Sequence, residues 1–183
     1  VFVSMWHDDD VGDATDDLVG CDTTLSLGYT YNDTDGDGNY GVEAPAAGAD
    51  FFQGPVIVSE EDTASILTWS QDDGYHIKSM PGHKQLPLTS FAKYTNGSDL
   101  YGDPETASET YNYMNGLVGI SGDAYIDPTT NEASVFVHPG DPTTNTGWVD
   151  EDPGDRRYLM TSGPFSFAPG DVQEVVGCII AAG

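Results

Sequence analysis

The stretch Thr24-Leu25-Ser26-Leu27-Gly28-Tyr29-Thr30-Tyr31 runs straight into Asn32-Asp33-Thr34-Asp35-Gly36-Asp37-Gly38-Asn39. A short segment carrying β-branched and aromatic residues, closed by an Asp/Gly cluster, reads as a strand followed by a turn. The pattern recurs at residues 1–7, 51–58, 66–69, 134–138, 158–162 and 172–180, each bounded by Gly, Pro or Asp. The clearest helix spans 104–117. Asp103 can cap it, Pro104 suits its first turn, and Glu105 and Glu109 suit its positive end. Tyr111, Met114 and Leu117 recur at helical spacing and are expected to face the core. Many short strands with one short helix predict an all-β chain, an antiparallel β-sandwich of jelly-roll or Ig-like kind with long Asp/Gly-rich loops. A single domain over residues 1–183 is expected, since the chain is long enough to bury one sizeable core.

The Asp/Gly run after the first quoted strand carries the chemistry. Asp33, Asp35 and Asp37 alternate, Gly38 follows at the sixth position, and the Asn39 carbonyl can supply the next oxygen. Ca²⁺ takes six to eight hard oxygens at about 2.3–2.6 Å, and alternate residues of a tight turn can converge on one ion. The match to a helix–loop–helix site then breaks: position twelve is Ala44, with Glu43 one place early. The run is closer to a free-standing DxDxDG loop, and the competing reading is a solvated turn.

A second acidic cluster, His7-Asp8-Asp9-Asp10-Val11-Gly12-Asp13 with Asp16-Asp17, crowds like charges into one short loop. Such crowding costs free energy unless a cation or solvent screens it. Asp8, Asp10, Asp13 and Asp16 or Asp17 are therefore candidate calcium ligands, against an exposed acidic turn. In Asp150-Glu151-Asp152-Pro153-Gly154-Asp155-Arg156-Arg157 the two arginines can neutralise carboxylates directly, so ion pairing competes with calcium there.

Composition agrees with cation binding. The chain holds 31 acidic and 5 basic residues, a net charge of −26, and Asp outnumbers Glu by 23 to 8. Like-charge repulsion makes nucleic acid and anionic membrane poor partners. At 38% hydrophobic residues the chain is apolar enough to fold. His7, His76, His83 and His138 are scattered, without zinc spacing, and Gly119-Ile120-Ser121-Gly122 is not a nucleophile elbow. With so many acids, some carboxylate pair always sits at a glycosidase-like separation, so that observation discriminates nothing. No catalytic motif emerges, and a non-enzyme is expected.

Cys21 and Cys178 can either pair across a long loop or pack as two separate thiols. Asn32 and Asn96 head Asn-x-Ser/Thr sequons. No membrane-spanning run is visible, so membrane insertion is not expected. The apolar ends, Val1-Phe2-Val3 and Cys178-Ile179-Ile180, read as cut from a larger secreted precursor and are expected to be buried, within the domain or against a neighbouring copy.

Four segments carry a resemblance. Asp16-Asp17-Leu18-Val19-Gly20-Cys21-Asp22, Leu27-Gly28-Tyr29-Thr30-Tyr31-Asn32, Asp50-Phe51-Phe52-Gln53-Gly54-Pro55 and Pro164-Phe165-Ser166-Phe167-Ala168-Pro169-Gly170-Asp171-Val172-Gln173-Glu174 together resemble a segment of large secreted proteins of bacteria that use type IX secretion. Such segments are mostly of unassigned function. The resemblance implies export to the cell surface or medium, and O-glycosylation at Asp22-Thr23-Thr24 and Asp62-Thr63-Ala64; the family's C-terminal sorting domain is not among these residues. The expected role is a calcium-stabilised extracellular structural protein that assembles with copies of itself into a fibre or layer. The other reading is an adhesion or carbohydrate-binding module, with Trp6, Trp69, Trp148 or Tyr75 stacking on glycans.

Overall fold

The computed structural model describes residues 1–183. The strands are β1 (Val3–His7), β2 (Asp17–Asp22), β3 (Leu27–Asn32), β4 (Ala46–Gln53), β5 (Val56–Ser70), β6 (Gly74–Gln85), β7 (Ser90–Thr95), β8 (Tyr125–Asp127), β9 (Glu132–Ser134), β10 (Arg156–Ser162) and β11 (Val176–Ala182), with one helix, α1 (Ala107–Met114), after β7. A three-stranded sheet of order β1-β10-β7 faces a four-stranded sheet of order β11-β4-β3-β2. All their pairings are antiparallel. Val19 and Cys21 of β2, Phe51 of β4, Phe91 and Tyr94 of β7, and Tyr158 and Met160 of β10 share one core. The chain is thus an all-β sandwich with a single short helix. No helix is long and apolar enough to cross a membrane.

Gly28 sets how closely the two sheets approach. The Phe91 and Tyr158 rings stack at 5.1 Å, and a Cβ on Gly28 would lie 2.9 Å from the first ring and 2.8 Å from the second. An aromatic pair seated on bare backbone gains contact that no side chain at that point allows.

Several elements differ from the sequence reading, each for a local reason. The strand expected from 24 starts at Leu27, because the Asp22 carboxylate accepts the Thr24 and Leu25 N–H groups and holds a turn there. The strand expected over 51–58 is two strands, broken at Gly54-Pro55. Pro55 has no N–H to donate, and a Cβ at Gly54 would stand 1.9 Å from the Leu86 carbonyl. The helix is capped by Thr106, whose hydroxyl accepts the Glu109 N–H at 3.2 Å. The Glu109 carboxylate reaches back to the Glu105 N–H, one residue before the cap, at 2.7 Å, so Thr106 with Glu109 takes the place expected of Asp103. The face turned to the core carries Tyr113, whose ring lies 4.2 Å from Tyr94. Tyr111 is exposed and meets Phe2 edge-on at 5.8 Å. Of the strand expected over 134–138, only Ser134 lies within β9.

Cys21 and Cys178 are both free thiols. They sit on β2 and β11, at opposite edges of the four-stranded sheet. Three strand spacings of about 4.8 Å separate those edges, beyond the roughly 7 Å that a disulfide spans. The C-terminal strand is an edge strand with Ile179 turned to solvent, so of the two expected forms of burial the one within the domain does not hold.

The β5–β6 hairpin forms a separate two-stranded sheet. Its register opposes Leu67 to Ile77 and Trp69 to Tyr75, which puts these four side chains on one face. Ala64 and Ile66, on β5, are buried. Two glutamine amides hold β5 to the sandwich. Gln53 accepts the Leu67 N–H at 2.6 Å and donates to the Leu67 carbonyl at 3.3 Å. Gln173 accepts the Val56 N–H at 2.9 Å and donates to the Val56 carbonyl at 2.8 Å. Each amide occupies a donor and an acceptor that a neighbouring strand would otherwise have taken.

Candidate metal centre

The two N-terminal acidic clusters, separated by β2 and β3 in sequence, are neighbours in space. β2 and β3 pair with Asp17 opposite Asn32, which brings the loops before and after them to the same end of the sheet. The Asp33 N–H donates to the Asp16 carbonyl at 3.0 Å, and the Asn32 amide donates to the Asp16 carboxylate at 3.0 Å.

Asp37 joins the loops most directly. Its carboxylate accepts N–H groups from Tyr40 at 2.7 Å, Asn39 at 2.6 Å and Asp13 at 2.9 Å. Those backbone donors, Tyr40 first, hold its carboxyl below the usual carboxylate range. Gly12, at φ 85°, closes over it: a Cβ there would fall 2.3 Å from the Asp37 carboxylate. Asp33 and Asp35 are exposed. Asp13 caps its own turn by accepting the Thr15 N–H and hydroxyl, at 3.0 and 2.7 Å.

Three carboxylates do converge. Oxygens of Asp8, Asp10 and Asp155 lie within 4.8 Å of one another. Two ligands on one Ca²⁺ at about 2.3–2.6 Å stand no more than about 5 Å apart, so this spacing fits a shared ion. Asp8 and Asp10 belong to the loop after β1, and Asp155 immediately precedes β10. Asp155 therefore completes a group for which the sequence suggested Asp16 or Asp17. Asp33, Asp35 and Asp37 are not part of that cluster.

Arg157 stands in the same cluster. Its Nε meets Asp8 at 2.9 Å, one terminal nitrogen pairs with Asp103, and the other lies 3.8 Å from Asp155. One cation shared among four aspartates with Asp10 leaves an excess of negative charge. Burial first, then Asp8 and Asp155, push the Asp10 carboxyl up. Asp17 is wholly buried beside them. Its Oδ2 accepts the Val11 N–H at 3.4 Å, and its Oδ1 has no hydrogen-bond partner. Burial raises its pKa to about 7.

A second charged network lies inside the fold. Asp150, buried, accepts from Lys93 Nζ at 2.9 Å and the Val19 N–H at 3.3 Å, and Arg156 Nε and His138 Nε2 stand 3.4 and 3.5 Å from it without a hydrogen bond. Burial lowers the Lys93 ammonium. Burial and then Lys93 lower His138 to about 4. The acidic-rich sequence around 150–157 thus serves two networks, with Asp150 and Arg156 inside and Asp155 and Arg157 at the rim. Periodicity offered no route to either, because partners such as Lys93 and Asp8 are far away in sequence.

No family model, curated protein or solved structure matches the chain.

Proposed function

We propose that the chain is a non-catalytic, secreted structural domain, stabilised by calcium and assembling with copies of itself at the cell surface or in the medium. The observation that carries this reading is the convergence of Asp8, Asp10 and Asp155 within 4.8 Å. An ion held there, with water completing its shell, ties the loop after β1 to the start of β10, so the chain's first strand and its central core strand share one clamp. Binding to the folded state alone stabilises it by linkage. The test is thermal unfolding with size analysis in calcium and then in chelator, at matched ionic strength. The expected result is a Tm several degrees higher in calcium, lost in Asp10→Asn, with larger particles in calcium. Identical Tm and size in both buffers would overturn the reading.

A second reading rests on the hairpin. Trp69 and Tyr75 oppose each other across β5 and β6, at 57% and 77% exposure, so each ring offers a face to a sugar. A glycan array with Trp69→Ala as control separates this from self-assembly: retention of wild type and loss in the variant favours an adhesion module.

A further inference from the structure

Of the five basic residues, Lys93, Arg156 and Arg157 are tied up by Asp150, Asp152, Asp8, Asp103 and Asp155. The two that remain, Lys78 and Lys84, are both exposed and both on β6. β6 also holds His76 and His83 and contains no carboxylate, whereas its partner β5 carries Glu60, Glu61 and Asp62 and no base. The amides of Gln53 and Gln173 hold β5 to the sandwich, and β6 pairs only with β5. Away from β6, copies of a chain with net charge −26 meet acid to acid.

We infer that β6 is the contact strand of self-assembly, docking its lysines, which share one face of the strand, onto an acidic hollow of the next copy. This rests on the self-assembly reading above. The hollow that offers matching chemistry is one of about 540 Å³ lined by Asp99, Asp103, Glu105, Glu109 and Ile120. Exposed Leu100 and Tyr101 stand beside it in the chain. Asp99, Glu105 and Glu109, beside an Asp103 already paired with Arg157, complement Lys78 and Lys84. Strand and hollow are different surfaces, so the contact is head-to-tail. Repetition then gives an open chain or a ring, not a closed two-fold dimer.

The experiment is sedimentation velocity of the full chain in calcium, over a concentration and NaCl series. Wild type is expected to form salt-sensitive oligomers. Lys78→Glu/Lys84→Glu places acid against the acidic hollow, and Asp99→Lys/Glu105→Lys places base against the basic strand. Each variant alone is expected to need at least tenfold more protein to associate, whereas the two mixed at equal ratio associate as wild type does, because each then offers the charge the other lacks. Circular dichroism confirms that both are folded. Wild-type oligomers with an unaffected lysine variant, or a mixture no more associated than its parts, would overturn the β6 contact and leave self-assembly standing. Wild type that stays monomeric throughout overturns both.

Discussion

Asp17 and His138 are buried groups whose titrations pull stability in opposite directions. His138 is lowered to about 4 in the fold, against about 6.5 when unfolded. Between those values the unfolded chain binds the proton and the native chain does not, so stability rises with pH across that window, by about 3 kcal/mol for the full shift. Asp17 is raised to about 7, so between about 4 and that value the native state holds the extra proton and stability falls as pH rises. The two slopes offset each other near pH 5 to 6. Asp17→Asn keeps an oxygen for the Val11 N–H and removes the second slope. Urea midpoints of this variant should climb with pH between about 4 and 6.5, and should exceed wild type at pH 8; a flat profile would refute the assignment. Gly12 makes a second case at this scale. Alanine there meets both an unfavourable φ of 85° and the Asp37 carboxylate, so Gly12→Ala should lose roughly 2–4 kcal/mol in equilibrium unfolding. Residue roles were the least legible part of the sequence. The spacing of Asp33, Asp35 and Asp37 suggested equivalent ligands, yet Asp37 points its oxygens at backbone donors from two loops. Nothing in the order of residues distinguishes a carboxylate that binds N–H groups from one that faces solvent.

Elements were more legible, and failed where backbone chemistry overrode composition. Strand identity followed from β-branched and aromatic runs, while boundaries moved to Asp22, Gly54-Pro55 and Thr106, where side chains or a missing N–H end the ladder. The 12-residue β6 was not expected at all: its His, Lys, Pro and Gly disguise a strand whose pairing comes from β5. The hairpin's attachment is also a property of elements. The Gln53 and Gln173 amides each replace one rung of a strand pairing. Gln53→Ala strands the Leu67 amide and carbonyl, with an expected cost of roughly 1–3 kcal/mol. Hydrogen exchange should locate that loss: protection falls in β5 and β6 while β10 stays protected. Uniform loss across the sandwich would show that hairpin and core open as one unit.

At the scale of the molecule, net charge dominates. Thirty-one acids against five bases create self-repulsion that the fold must withstand. Raising NaCl from about 10 mM to 0.5 M shortens the screening length from about 30 Å to a few ångströms, so Tm should rise by several degrees even in chelator. Calcium at matched ionic strength should add a further increment if a specific site exists, and the Asp10→Asn variant should lack it. An equal response to calcium and to sodium would leave screening as the whole effect. The sandwich itself was readable because a core needs only alternating apolar segments and turns between them. How charges divide between interior and surface was not, because it depends on which loops meet.

That division gives the protein an unusual relation to trypsin, which cuts after lysine and arginine. Lys93, Arg156 and Arg157 are engaged by carboxylates of the sandwich, leaving Lys78 and Lys84 on β6 as the exposed cleavage points. Brief digestion of the native chain should therefore yield two large pieces, ending at Lys78 and beginning at Gln85, held together by the uncut fold. Any partner that covers β6 would hide both points at once. Loss of those cuts on raising the protein concentration would thus footprint the contact directly, on a molecule that offers the protease almost nothing else.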